Sequence, residues 1–248
     1  MRTLATVATF LVTLAVNGAA NALPLNGQTT AEISDRFHVF VIPAGYVFGI
    51  WGVIYLGLAA YTVYQALHPD EPVVRRLGWL PALSNVLNAA WIPLFHYEMF
   101  ALTVVVMVGL LLTLIAIHLR LWSTRHELTR ATFWTVRVPF SIYLGWITVA
   151  TVANVAQTVA AFGIGGPGIP GEWIAAIVLL GVFALAARFI WQFHDVAYGL
   201  VIVWAYFGIA IKEADAAVVP WVAGAAGIGI GLLIVVRAFG GGRAHVRR

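Results

Sequence analysis

The sequence contains no cysteine among its 248 residues. Disulfide bonds, a thiolate nucleophile and a zinc site built from cysteines are therefore excluded, and cysteine usage gives no information on the redox compartment. Charged side chains are also scarce, at 10% of the residues, against about 25% in an ordinary soluble domain. So few charges cannot cover the surface of a water-soluble globule. This excludes a soluble domain, and with it disordered, collagen-like and nucleic-acid-binding proteins.

Apolar residues are in excess: they make up 62% of the chain, and the mean hydropathy is +0.93. Eight apolar runs approach the length of about 20 residues that a helix needs to cross a bilayer. We therefore predict an all-α polytopic membrane protein surrounded by lipid. The predicted spans are 3–22, 44–67, 79–95, 100–118, 131–162, 173–190, 196–212 and 218–237.

Basic residues are concentrated in alternate connections between these runs, as the positive-inside rule requires. With the N-terminus inside, the outer connections contain only Arg36 and Lys212. The inner segments contain Arg2, Arg75, Arg76, Arg120, Arg125, Arg130, Arg188, Arg237, Arg243, Arg247 and Arg248. We expect eight spans in a bacterial or archaeal inner (cell) membrane, with both termini in the cytoplasm. The alternative is that the first run, which ends in Ala20-Asn21-Ala22, is a cleaved signal peptide, which would leave seven spans.

A stretch rich in Gly and Pro at residues 163–172 cannot continue a helix. We predict that it connects a five-span bundle at 1–162 to three additional spans at 173–237, followed by a basic cytoplasmic tail at 238–248. No internal repeat is visible across the connection, so the sequence gives no support to an inverted-repeat transporter.

Three of the first five spans place aromatic and amide side chains on one helix face. In the second span Phe48, Trp51 and Tyr55 are spaced i, i+3, i+7, and Pro43 and Gly45 lie at its mouth. Related patterns occur in the third and fifth spans, at Asn88, Trp91 and Phe95 and at Tyr143, Trp146, Ala150 and Asn154. An amide facing lipid would stay unpaired at a cost of several kcal/mol. We therefore expect these faces to line a pocket for a flat, largely apolar ligand. The alternative is that the tryptophans form interfacial belts and the asparagines bridge helices.

Three sequence blocks lie on these faces, in the order Pro43 to Tyr55, Leu87 to Phe95 and Tyr143 to Asn154. They resemble the second-helix, third-helix and last-helix motifs of the translocator protein / tryptophan-rich sensory protein (TspO/MBR) family. The resemblance covers residues 1–160, and the last three spans have no counterpart in the five-helix core of that family.

The resemblance implies a five-helix bundle that binds tetrapyrroles such as protoporphyrin and haem, or sterol-like and benzodiazepine-type ligands, and that pairs as a homodimer. Transport and receptor roles are also implied. The positions that match the motifs are Trp51, Asn88, Trp91, Phe95, Tyr143 and Trp146. Light-dependent porphyrin breakdown through a pocket tryptophan would make Trp51 and Trp146 redox-active.

Other chemistry has less support in the sequence. His38 and His96 could contact the iron or a propionate of a porphyrin, or could be interfacial histidines in contact with water. No metal-ligand cluster, nucleophile–base pair or phosphate-binding loop is visible, so we expect no catalytic residue and no required cofactor. A transporter of small amphipathic molecules would share the same pocket. A retinal photoreceptor would need Lys212, the only lysine, but Glu213 and Asp215 follow it and indicate an interfacial position.

Overall fold

The computed structural model describes residues 1–23, 25–164 and 171–240, without the side chains of residues 21, 31 and 238–240. These residues are mostly helical, and no strand occurs among them. The predicted Gly/Pro-rich connection and the predicted basic tail lie largely outside the described residues. The all-α fold that the composition predicts is confirmed.

The helices follow one another in a simple order. They are α1 (Arg2–Ala22), α2 (Thr30–Asp35), α3 (Ile50–Leu67), α4 (Pro72–Leu77), α5 (Leu80–His96), α6 (Phe100–Ser123), α7 (Arg130–Thr132), α8 (Val138–Ala161), α9 (Gly171–Phe193), α10 (Val196–Lys212) and α11 (Val219–Gly240). Turns of 3-10 helix occupy Leu25–Gly27 and Gly45–Gly49, and a π-helix at Phe133–Arg137 joins α7 to α8.

A long helix lies at each of the eight predicted spans. Six of the described helical segments are long and apolar enough to cross a membrane. The other two, α5 and α10, have 17 residues each, which is the lower limit of about 17 residues for a spanning helix. The chain is therefore a polytopic membrane protein.

Local sequence explains several of the helix boundaries. The Thr29 hydroxyl accepts from the backbone N–H of Glu32, and the Glu32 carboxylate accepts from that of Thr29, which is a capping box that starts α2. Pro72 begins α4, and Gly78 at φ +63° ends it. The π-helix precedes Pro139, which has no backbone N–H and whose ring is incompatible with a regular helical turn before it.

Two compact units divide the described chain: Met1–Val39 with Gly49–Gly165, and Phe40–Phe48 with Gly166–Arg248. In the first, the five-helix unit, α1, α5, α6 and α8 pack in that order, and α3 closes the ring between α8 and α1. Gly57 of α3 makes this closure possible, because a Cβ there would lie 3.0 Å from Cβ of Pro139.

Charge separates the two ends of the five-helix unit. At the end that we call the basic end, Arg2 donates to the carbonyl of Arg75, and Arg120 donates to those of Arg76 and Leu77. The opposite end, the acidic end, contains Glu32, Asp35, Arg36 and Glu98. The arginines thus also provide hydrogen-bond donors to the last carbonyl groups of α4, which have no partner within the helix.

The second unit packs α9, α10 and α11 against one another. The segment Phe40–Phe48 belongs to this unit and lies on α10. Its Ala44 N–H donates to the carbonyl of Gly208 at 3.2 Å, and Nε1 of Trp204 donates to the carbonyl of Val47 at 3.2 Å. The ring of Tyr46 meets that of Trp204 edge-on, with centroids 5.2 Å apart. Backbone and ring contacts together fasten the segment to the helix.

Gly208 is the tightest point of this contact, and its replacement provides a test. A methyl group at position 208 would lie 2.2 Å from Cγ2 of Val47. We expect Gly208→Ala to lower the free energy of unfolding by about 1–3 kcal/mol, the usual effect of overpacking. Thermal unfolding in detergent measures it, and Val47→Ala in the same background should restore most of the loss.

Gly231→Ala is the matched control, because a Cβ at this position in α11 meets nothing within 4 Å. The control should be at least as stable as the wild type, since Ala is the better helix former. A Gly208→Ala variant as stable as this control would show that the segment does not pack on α10.

Candidate ligand-binding site

Four aromatic side chains from α3 and α8 meet in the five-helix unit, and we call them the aromatic cluster: Trp51, Tyr55, Tyr143 and Trp146. The rings of Trp51 and Tyr55 stack, with centroids 5.4 Å apart and an interplanar angle of 18°. Trp51 also meets Tyr143 and Trp146 edge-on, at 6.0 Å and 6.2 Å. Tyr143 and Trp146 are buried, whereas Trp51 and Tyr55 are partly exposed. An incoming ligand would therefore first contact the α3 side of the cluster.

A chain of hydrogen bonds positions Tyr143 from behind. The Nδ2 of Asn17 in α1 donates to Oδ1 of Asn88 in α5 at 3.0 Å, and the Nδ2 of Asn88 donates to the Tyr143 hydroxyl in α8 at 2.7 Å. Asn88 is buried, as expected from the cost of exposing an amide to lipid. Both ends of its amide are used within the protein, so Asn88 positions a ring of the cluster.

Trp91 and Phe95, which share a helix face with Asn88, lie in a different group near the acidic end. Their rings stack with centroids 4.5 Å apart, and Phe95 meets Phe100 edge-on at 5.9 Å. Ile33 of α2 packs on Phe95 and Phe100 and is fully buried. The segment of residues 25–36, which includes α2 and which we call the covering segment, therefore covers this apolar group. Trp91 belongs to this group and not to the aromatic cluster.

Asn154 of α8 is buried near the same end. Its Nδ2 donates to the hydroxyl of Thr103 in α6 at 3.0 Å. One turn away, Nε2 of Gln157 donates to the carbonyl of Ile33 at 3.2 Å, which ties α2 to α8. Ala150 is half-buried, one turn from both Trp146 and Asn154.

Three predicted site residues contribute to the buried polar atoms of this unit that have no hydrogen-bond partner among the described residues: the Tyr55 hydroxyl, Nε1 of Trp91 and Oδ1 of Asn154. The Tyr55 hydroxyl lies near Asn88 and Tyr143. A buried polar atom without a partner costs about 1–3 kcal/mol, and native proteins contain few of them. The helices α3, α5 and α8 thus each offer one polar atom that a ligand or a water molecule could satisfy.

Pro43, Gly45 and Phe48 belong to the second unit, whereas the other predicted site residues belong to the first. Pro43 is buried beside the position that a Cβ of Gly208 would take, at 3.3 Å. Gly45 and Phe48 are exposed, Phe48 at 38%. The expected common face of Phe48, Trp51 and Tyr55 does not form as one helix face, because Phe48 lies in a 3-10 turn before α3 begins.

The two histidines considered as iron ligands differ in their surroundings. His96 is fully buried: its Nδ1 lies 3.1 Å from the carbonyl of Leu25, and its Nε2 lies 3.0 Å from the Thr30 hydroxyl. A carbonyl only accepts, so Nδ1 carries the proton and Nε2 accepts from Thr30. Iron ligation by His96 would break one of these bonds. His38 is exposed. Among the described residues, no group of three or more His, Asp or Glu side chains could hold a metal ion.

Charged side chains fasten the covering segment at the acidic end. Nη1 of Arg36 donates to Oε1 of Glu98 at 2.8 Å, and Nε2 of Gln28 donates to the same oxygen at 3.3 Å. These hydrogen bonds, that of Arg36 foremost, hold the pKa of Glu98 below its ordinary value. The Thr29 backbone N–H, followed by the Thr29 hydroxyl, does the same for the pKa of Glu32.

Comparison with known proteins identifies the family. A sequence model of the family described as TSPO-like protein matches residues 3–239. The chain belongs to this family. No match was found among curated proteins or among solved structures.

The match corrects the extent of the resemblance read from the motifs. We expected it to end at residue 160, but it continues through α9, α10 and α11. The last three helices of this TSPO-like protein are therefore part of the pattern that defines its family.

Sequence reasoning missed several residues whose contacts shape the two units of this TSPO-like protein. Trp204 and Gly208, which hold the segment Phe40–Phe48 on α10, occur in an apolar run without any distinguishing pattern. Thr29 and Glu32 do form a recognisable capping box, which could have predicted α2. Thr30 and Leu25, the partners of His96, give no signal in the sequence because they are separated from His96 by 66 and 71 residues.

Proposed function

We propose that this TSPO-like protein binds a flat, largely apolar ligand of the tetrapyrrole class within the five-helix unit, for sensing, trafficking or disposal of that ligand. One observation carries the proposal. The unit combines an aromatic cluster with buried polar atoms that lack partners among the described residues. Ring faces suit a planar macrocycle, and the polar atoms suit its few heteroatoms.

The geometry favours Trp51 and Tyr55 as the first contacts. They are the partly exposed members of the cluster, and their stacked arrangement offers ring surface on α3. Tyr143 and Trp146 would support these rings from α8 and would meet a ligand only if Trp51 moves. The hydroxyl of Tyr55 adds a hydrogen-bonding atom to this part of the site.

The choice of tetrapyrroles over other flat ligands rests on the family. Family resemblance implies porphyrins, haem and sterol-like molecules as ligands, and the aromatic cluster suits planar rings best. A porphyrin or haem would be the bound ligand rather than a required cofactor. The engaged ring nitrogens of His96 favour ring packing over iron ligation as the main interaction. Pairing as a homodimer is a further proposal that rests on the resemblance alone.

We also propose an orientation in which the basic end of the five-helix unit faces the cytoplasm of a bacterial or archaeal cell. The support is the charge difference between its ends: at one of them Arg2 donates to the carbonyl of Arg75, and Arg120 donates to that of Arg76. Basic residues stay on the cytoplasmic side during insertion.

Ligand binding is tested by titrating the purified chain with protoporphyrin and following the ligand's own absorbance. Trp51→Phe should weaken binding about two- to tenfold, since an aromatic pair contributes about 0.5–1.5 kcal/mol. Trp221→Phe is the matched control, because Trp221 belongs to α11 and is 77% exposed. Equal affinity in Trp51→Phe and wild type would contradict the site.

Tyr55→Phe is a sharper variant of the same experiment, because it removes the hydroxyl and keeps the ring. We expect it to weaken protoporphyrin binding several-fold without lowering thermal stability. Tyr206→Phe provides the comparison, since its hydroxyl donates to the carbonyl of Leu179. That variant should lose stability, by about 0.5–1.5 kcal/mol, and keep its affinity. An unchanged affinity in Tyr55→Phe together with a weakened affinity in Tyr206→Phe would contradict the proposal.

The orientation is tested with introduced cysteines, because the chain has none of its own. Asp35→Cys marks the acidic end and Glu127→Cys the basic end, and both positions are exposed. In right-side-out vesicles an impermeant maleimide should label only Asp35→Cys, and lysis should make Glu127→Cys reactive. The reverse labelling would contradict the orientation.

A further inference from the structure

The turn between α6 and α8 collects arginines around one tryptophan. The guanidinium carbon of Arg125 lies 4.3 Å from the ring centroid of Trp122, and that of Arg137 lies 5.8 Å from it. Arg137 also lies 5.9 Å from the ring centroid of Phe133. The two cations are therefore held within about 10 Å of each other, close to the Debye length of ~8 Å at physiological salt.

Positive charge dominates this stretch of the chain. From residue 120 to residue 137 the basic residues are Arg120, Arg125, Arg130 and Arg137, and the only acidic residue is Glu127. Arg2 and Arg75 add to it at the same end of the five-helix unit. Two like charges beside one ring repel each other, so an anion bound between them would be stabilised by both.

The arginines are positioned by local structure. Nη1 of Arg125 donates to the carbonyl of Trp122 at 3.1 Å. This hydrogen bond folds the Arg125 side chain back over the ring of Trp122. Thr129 caps α7, and the π-helix Phe133–Arg137 follows, so Arg137 is the last residue of the π-helix and lies two residues before Pro139. Stacking uses the face of a guanidinium, whereas its N–H donors lie in its plane and can point at an anion.

Exposed apolar side chains flank the same arginines. Phe133 is 38% exposed, Trp134 is 60% exposed, and Leu119 on the last turns of α6 is 49% exposed. These side chains lie at the ends of membrane-spanning helices, where aromatic residues meet the headgroup region. An occupant of this surface would thus contact arginine donors with one part and an apolar surface with another.

We propose that Arg125 and Arg137, supported by Trp122, form a binding site for the phosphate of an anionic phospholipid, with its acyl chains lying against Phe133 and Trp134. A phospholipid fits because it joins an anionic head to apolar chains at the depth where this turn lies. An acidic soluble protein would fit the charge but not the apolar flank. The site is separate from the aromatic cluster and does not rest on the proposed ligand.

Lipid retention tests the proposal. The full chain is purified in detergent, mixed with equal amounts of phosphatidylglycerol and phosphatidylcholine, and the retained lipids are counted by native mass spectrometry. The wild type should prefer phosphatidylglycerol. The double variant Arg125→Gln/Arg137→Gln should lose that preference by roughly tenfold, since each basic group near an anionic surface adds attraction. A matching helical circular dichroism spectrum would confirm that the variant is folded.

Two comparisons keep the outcome decisive. Arg36→Gln removes one arginine at the acidic end and should leave the preference unchanged; a loss as large as that of the double variant would overturn the site. Arg125→Lys/Arg137→Lys keeps the charge but not the planar stacking, so its preference should fall between the other two. Unchanged preference in the Gln double variant, or complete retention in the Lys double variant, would also overturn it.

Discussion

The hydrogen bonds from Asn17 to Asn88 and from Asn88 to Tyr143 join three helices of the five-helix unit, and the remaining contacts of the site depend on them. Amide and hydroxyl groups at this depth have no water to bond with, so each must find a partner within the protein. Asn88 meets that requirement for α1 and α8 at once. Because Tyr143 is fixed by this bond, Trp51 has a defined edge to pack against, and the aromatic cluster has a definite geometry.

Different contacts stabilise the two ends of the five-helix unit. At the acidic end, the hydrogen bonds of His96 and the ion pair of Arg36 and Glu98 fasten the covering segment. At the basic end, arginines bond to carbonyl groups and stack on aromatic rings. In the second unit, α10 holds the segment Phe40–Phe48 through backbone and ring contacts. The family match through residue 239 includes all three long helices of this unit.

Hydropathy predicted the long helices, because burial in lipid requires apolar residues along the whole length of a span. The desolvation cost of an amide also predicted that Asn88 and Asn154 are buried. Spacing along one helix, however, defines only a face. It could not show that Trp91 and Phe95 pack at the acidic end while Tyr143 and Trp146 join Trp51, because that depends on which helices are neighbours. For the same reason the sequence pattern groups Pro43 and Phe48 with Trp51, although Pro43 precedes a 3-10 turn and Phe48 lies within it. The sequence also leaves His96 as a candidate iron ligand, because the two hydrogen-bond partners of its ring nitrogens are distant in sequence.

The coupling between Asn88 and Tyr143 tests the central claim most directly. Asn88→Ala, Tyr143→Phe and the double variant form a double-mutant cycle, with the free energy of unfolding measured in mixed detergent micelles. Hydrogen bonds between membrane helices typically show couplings of about 0.6 to 1.7 kcal/mol, and we expect a value in that range. Additive effects of the two substitutions, with no coupling, would contradict the claim that this bond holds the site together.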